Sequence, residues 1–209
     1  MRKNKIATLV LAGLFVLSAL TGCIKYQTPD DFKPTNADGE EYLSGLHHVE
    51  IEVQDYGTIS VELDADTAPR TVTNFIDLAE SGFYNGLTFH RIKSGFMIQG
   101  GDPEGTGSGG SGTTITGEFS ANGYENDISH VRGTISMARN GMDYNSASSQ
   151  FFIVHEDSLF LDGKYAGFGH VTDGMDIVDA ICEDTPVTDD NGTVADGYQP
   201  VITEIRVID

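Results

Sequence analysis

The stretch from Phe89 to Asp102, FHRIKSGFMIQGGD, holds side chains that seldom share a strand. Phe89, Ile92, Phe96, Met97 and Ile98 supply apolar, β-forming surface, and Arg91 and Gln99 stand among them. A guanidinium buried without a partner costs several kcal/mol. A permanent cation beside so much apolar surface therefore needs a reason. Other residues with chemical potential give weaker signals. Gly105–Gly110, GTGSGG, lacks the Lys of a phosphate-binding loop and is followed by no helical pattern, so it reads as a flexible loop. His47 and His48 are adjacent and point to opposite faces of a strand, which suits no shared metal ion. Asp189-Asp190-Asn191-Gly192 is acidic without EF-hand spacing. Ser148 and Ser149 have no evident His–Asp arrangement. No metal and no cofactor is expected.

Three more segments share the mixed character of the first: Gly133–Gly141 (GTISMARNG), Ser148–Asp157 (SSQFFIVHED) and Leu159–Asp179. Taken singly, Phe96, Met97, Phe152, Phe160 and Leu161 read as ordinary core. Phe151 and Phe152 must face opposite sides of one strand, so one can fill an interior while the other lines an outer surface.

The elements that would position these residues are short. Val49, Ile51 and Val53 alternate, as do Ile59, Val61 and Leu63, and Gln54–Gly57 between them makes a turn, so the domain opens on a β-hairpin. In DTAPRTVTNFIDLAESG the spacing of Val72, Phe75, Ile76 and Ala79 predicts a helix. Asp66 or Thr67 would cap it, Pro69 suits its first turn and Gly82 stops it. Further apolar runs predict strands at Thr88–Ile92, Phe96–Gly100, Thr134–Met137, Gln150–Val154, Ala166–Val171 and Val201–Ile208, and a second helix fits Gly174–Cys182. Eight strands, two helices and Gly-rich loops give an all-β barrel or sandwich with helical covers.

Twelve Lys and Arg against 32 Asp and Glu leave a net charge of −20 among 209 residues. That balance argues against nucleic acid and otherwise reads as a solvated acidic surface. The start differs from the rest. Arg2, Lys3 and Lys5 precede the apolar run Ile6–Leu20, too short for a comfortable membrane span and suited to a signal-peptide core. Leu20-Thr21-Gly22-Cys23 resembles a bacterial lipobox, in which the cysteine carries the lipid; the plainer alternative is a secretory signal with an incidental cysteine. The expected organisation is a signal peptide over 1–22, a flexible tether over 23–46 and a folded domain over 47–209. Lipid on Cys23 would leave Cys182, on the second helix, as a small apolar residue with no partner.

Four segments in order and at matching spacing, FHRIKSGFMIQGGD, SMA, SQFFI and LDGKYAGFGHV, make residues 48–209 resemble the cyclophilins, a family of peptidyl-prolyl cis-trans isomerases. The resemblance implies an all-β-dominated fold, an eight-stranded antiparallel closed β-barrel capped by two α-helices, with a hydrophobic groove on its outside. It implies that Arg91 is the catalytic cation and that Gln99 holds it. Phe96, Met97, Phe152 and Leu161 would floor a proline pocket. Ala138, Arg139 and Gln150 would contact substrate, and Phe160 and Tyr165 would stand at the rim. The chemistry suits these residue types. Rotation about a peptide bond faces about 18–20 kcal/mol from resonance. In the twisted transition state the prolyl nitrogen gains a lone pair that a fixed Arg donor can bond and the planar ground state lacks.

The chain departs from well-known eukaryotic members at Arg139, where they carry Asn, at Phe160, where they carry Trp, and at Tyr165, where they carry His. The loss of the Trp donor implies that cyclosporin binds more weakly. The resulting expectation is a monomeric, extracytoplasmic isomerase, anchored to the bacterial cell membrane through Cys23, that helps exported, proline-containing polypeptides fold. The alternative is a proline-peptide binding or chaperone module whose isomerase activity is incidental. The full set of Arg91, Phe96, Met97, Gln99 and Phe152 favours the enzyme, because a pure binder has no use for the arginine.

Overall fold

The computed structural model describes residues 41–209; the leader, Cys23 and most of the tether lie outside them. In chain order the elements are β1 (Leu46–Val53), β2 (Gly57–Asp64), α1 (Pro69–Glu80), β3 (Thr88–Lys93), β4 (Met97–Asp102), β5 (Thr134–Met137), β6 (Phe151–Val154), β7 (Gly167–Asp173), α2 (Met175–Asp184) and β8 (Ile202–Val207). A 3-10 turn at Leu159–Leu161 joins β6 to β7.

All strand pairs are antiparallel, in the order β3-β4-β6-β5-β7-β2-β1-β8. Where a closed barrel was expected, the ladders form a curled sheet whose two end strands meet at one bridge, Thr88 to Val201. Phe89 N–H donates to Pro200 O at 2.9 Å and Ile202 N–H to Leu87 O at 2.8 Å across this seam. Pro200 has no N–H to give, so a regular ladder cannot run through it.

The alternation of β1 and β2 does what it predicts: Val49, Ile51, Val53, Ile59, Val61 and Leu63 are all buried in the interior. Phe75 of α1 joins them, 5.2 Å from the rings of both Tyr84 and Phe168 and 5.3 Å from Phe151. Each such side chain removed from water contributes roughly 1.5–3 kcal/mol. α2 covers the sheet with Val178 and Ile181. Cys182 is half-buried against the core, and burial pushes its thiol up to about 12, so it behaves as an apolar group.

Two local expectations are corrected. The residue before α1 is Ala68, and neither Asp66 nor Thr67 caps the helix. The cap comes from the distant, buried Glu118, whose carboxylate accepts from Arg70 N–H at 3.1 Å, Thr71 N–H at 2.9 Å and the Thr71 hydroxyl at 2.7 Å. It satisfies the orphan donors of a first turn as a local Asp would. Asp66 is engaged elsewhere: it accepts from Gly45 N–H at 2.8 Å. Leu43 N–H donates to Thr73 Oγ1 at 2.9 Å and Leu43 packs on the core, so the last residues before β1 contact the domain.

Candidate active site

Directly opposed residues in antiparallel strands share a face. The register sets Arg91 of β3 opposite Gln99 of β4, Gln99 opposite Phe152 of β6, and Phe152 opposite Ser136 of β5. One row across four strands therefore carries a cation, an amide, an aromatic ring and a hydroxyl on the outer face of the sheet. Strict alternation would put Arg91 on the same side as Phe89, which is fully buried in the interior. A register shift between Phe89 and Arg91 places a bulge at His90 and turns Arg91 outward. This answers why a cation sits in so apolar a strand.

Beneath Arg91 lies a small apolar cluster separate from the interior core: Met97, Phe152, Val154 and Leu161, joined by the partly buried Phe96, Ala138 and Tyr165. All of these except the fully buried Val154 line, with Arg91, a groove of about 450 Å³. Phe151 faces the interior and Phe152 the groove, as their adjacency requires. Arg139 lines both this groove and a neighbouring pocket of about 380 Å³, and Gln150 lines only the latter. Phe160 stands outside as rim, 63% exposed, with its ring 5.5 Å from Phe96.

Arg91 is held from three sides. Its Nη1 donates to Gln99 Oε1 at 3.1 Å, its Nε donates to the Asn191 carbonyl at 2.9 Å, and its guanidinium lies 5.8 Å from the Phe96 ring centre. Gln99 Nε2 donates in turn to Gln150 Oε1 at 2.9 Å, and Gln150 Nε2 to Gly109 O at 2.8 Å. Both acceptors on Arg91 are neutral, so they orient the cation without cancelling its charge. Burial pulls its pKa down from the ordinary value, against attraction from Tyr165 and Asp189, yet a guanidinium in this range stays protonated.

The sequence did not reveal the source of the Asn191 contact. Asp189 organises a turn, accepting from Asn191 N–H and Thr193 N–H at 3.0 Å each. Gly192 lets that turn lie on β3: its φ is +86°, and a Cβ there would come within 2.3 Å of Ile92 O. The acidic run at 189–192, unremarkable by spacing, thus delivers a carbonyl to Arg91 from a hundred residues away. The segment Gly105–Gly110 is corrected from a flexible loop to a wrapped one. Buried Asp102 accepts from the N–H groups of Glu104 (2.9 Å), Thr106 (3.0 Å) and Gly107 (2.5 Å), and residues 105–108 line the groove. His90 lines it too, 4% exposed, with neither ring nitrogen hydrogen-bonded among the described residues.

Arg139, expected as an extra cation near substrate, lines the groove while lying among three rings, 4.5 Å from the centre of Tyr165, 4.8 Å from Tyr144 and 5.3 Å from Phe119. Its Nε donates to Lys164 O at 2.9 Å. Ser148 and Ser149 are spent on structure, the first accepting from Ser111 N–H and the second donating to Gly101 O. The arrangement is a fixed cation over a greasy pocket, which suits stabilisation of a developing lone pair in a substrate with an apolar ring.

Comparisons with known proteins point the same way. Residues 48–207 match the family model described as cyclophilin type peptidyl-prolyl cis-trans isomerase/CLD. The chain is 48% identical over 124 residues to peptidyl-prolyl cis-trans isomerase B of Bacillus subtilis, covering 59% of this chain and 82% of the relative. It is 50% identical over 123 residues to peptidyl-prolyl cis-trans isomerase-like 1 of Rhizopus delemar, covering 58% and 72%. A cyclophilin type isomerase from Cryptosporidium parvum, crystallised in the presence of the dipeptide Ala-Pro, superposes with a TM-score of 0.68 at 32% identity, covering 78% of this chain and 99% of that one.

Proposed function

The chain belongs to the cyclophilin-type peptidyl-prolyl cis-trans isomerases, and from that premise we propose that catalysis takes place in the groove beneath Arg91, on X–Pro bonds of exported polypeptides, by a protein tethered to a membrane through Cys23. The isomerase activity itself follows from the family and from relatives of that name. The observation that carries the site assignment is the pairing of a guanidinium with an apolar pocket: among the described residues Arg91 is bonded to the neutral Gln99 and Asn191, above Phe96, Met97, Phe152 and Leu161.

In this reading the pocket buries the proline ring and excludes water, which strengthens whatever bond Arg91 makes. Arg91 donates to the prolyl nitrogen as resonance is lost. Gln99 and Asn191 fix the donor in advance, so little reorganisation is left for the transition state. Ala138, Arg139 and Gln150 bound the next pocket along, where the residue preceding proline would lie. Cyclosporin would enter the same groove weakly, because Phe160 offers no N–H donor. The bridge at Thr88–Val201 would serve as the seam of a closed barrel.

The export context rests on sequence: three positive residues, the apolar run Ile6–Leu20 and the lipobox-like Leu20–Cys23. Among the described residues no helix is long and apolar enough to cross a membrane. Cys23→Ser is expected to release the mature protein from the membrane fraction and to change its processing. A variant still processed and still membrane-bound would overturn the anchor.

A further inference from the structure

Behind the proline pocket lies an arrangement that no part of the mechanism above uses. His130 is fully buried. Its Nδ1 lies 2.9 Å from Asp162 Oδ1 and its Nε2 lies 2.9 Å from Ser136 Oγ. Its backbone N–H also donates to Asp162 Oδ1, at 2.8 Å. The residue types and contacts are those of a serine hydrolase triad. The Ser136 hydroxyl, however, is fully buried, and a nucleophile that no substrate can reach attacks nothing.

The three residues sit at other positions of interest. Asp162 directly follows Leu161, one wall of the pocket. Ser136 is the direct cross-strand partner of Phe152, the pocket floor. The His130 ring itself stacks on Phe152, with centroids 6.0 Å apart and planes inclined by 21°. One imidazole thus touches the ring of Phe152 and bonds the neighbours of both Phe152 and Leu161. We propose that His130, tied to Asp162 and Ser136, is a positioning residue that sets the spacing of Phe152 and Leu161 and so tunes how tightly the groove grips a proline ring. The inference rests on the reading of that groove as the proline site.

The protonation pattern follows from the partners. Burial raises the Asp162 carboxyl, but hydrogen bonds from His130 and Ser129 outweigh it and hold Asp162 below the usual carboxylate range, while burial pulls the His130 ring down. An ionised Asp162 only accepts, so Nδ1–H donates to it. Nε2 is then the acceptor of a neutral imidazole, and the Ser136 hydroxyl donates to it. Both ring nitrogens and the Ser136 hydroxyl are satisfied in this arrangement, which holds the ring plane against Phe152.

The test separates grip from chemistry. His130→Phe keeps a ring against Phe152 and removes both side-chain bonds. Asp162→Asn, at a position whose side chain is 35% exposed, removes the carboxylate and spares the fold. The affinity of a tetrapeptide with an Ala-Pro bond is measured by NMR titration, and its cis–trans exchange rate is measured on the saturated enzyme. The expected result is an affinity weakened about fivefold in His130→Phe and two- to threefold in Asp162→Asn, with exchange at saturation within twofold of wild type. That is the pattern of lost binding common to ground and transition states. A merely structural role would lower the melting temperature and the folded fraction and leave the affinity of the folded remainder unchanged. Unchanged affinity in both folded variants overturns the proposal. Wild-type protein that fails to bind the peptide in this groove overturns the reading beneath it, a distinct result.

Discussion

Arg91 shows how a single residue can be legible in type and illegible in placement. Its chemistry is apparent from its company in FHRIKSGFMIQGGD. What turns it outward is a bulge at His90, and what fixes its Nε is the carbonyl of Asn191. Neither leaves a local sequence signal, because a bulge is a property of two strands and the carbonyl arrives from elsewhere in the chain. Phe160 is the opposite case: exposed, at the rim, and fully described by its type. Phe160→Trp adds an indole N–H at the groove edge without disturbing the core. One added hydrogen bond contributes about 0.5–1.5 kcal/mol, which is up to roughly tenfold in affinity. Cyclosporin titration of the two proteins is expected to show that gain, and equal affinities would mean that a donor at this position adds nothing to cyclosporin binding.

At the scale of elements, strands and helices followed their periodicity, and caps and loops did not. β1, β2 and α1 bury the residues their spacing selects. The cap of α1 comes from Glu118, some 47 residues away in the chain, and the order of residues 104–109 comes from the adjacent Asp102, each a carboxylate that accepts from free N–H groups. A Gly-rich segment looks flexible when its organiser lies before it and is itself read as the end of a strand. The turn at 189–193 makes a sharper prediction. Gly192→Ala puts a Cβ against Ile92 O at a positive φ, so the turn must shift and carry Asn191 off Arg91. The strain is expected to cost about 1 kcal/mol and to lower the melting temperature by a few degrees. Loss of one orienting bond is expected to reduce isomerase kcat/KM roughly two- to tenfold. A coupled assay beside a melting curve checks both, and a destabilised variant with full activity would mean that Asn191 does not support Arg91.

The whole molecule binds its groove to its stability through Asp102. Burial raises the pKa of that carboxyl, but N–H groups of Glu104, Gly107, Gly109 and Thr106 outweigh burial and leave it below the usual carboxylate range. A depressed carboxyl contributes stability that is present in full above its unfolded value and is lost as pH falls through its folded value. The wild type is therefore expected to lose stability through this group as pH falls below the ordinary carboxylate range, with the groove-lining loop released along with it. Asp102→Asn places an amide where several donors converge. It is expected to cost about 3 kcal/mol at pH 7 and to flatten the acid limb of the stability curve. Urea melts of both proteins between pH 2 and 7 read this directly, and parallel acid limbs would exclude Asp102 as their source. The curled sheet is general to the fold; the groove exists because one bulge, one turn and one buried carboxylate each place a loop or side chain on its outer face.

The most direct test of the mechanism is isomerase kcat/KM for an X–Pro peptide with Arg91→Ala, measured alongside a melting curve. Arg91 is half-buried on the outer face, and its removal opens no cavity in the interior core, so the melting temperature is expected to stay close to wild type. Loss of one preorganised charged donor predicts a fall of about 10²–10³-fold in kcat/KM, with Arg91→Lys recovering part of it because an ammonium lacks the planar fork. A stably folded Arg91→Ala protein with near-wild-type turnover would contradict the mechanism and leave the groove as a binding site alone.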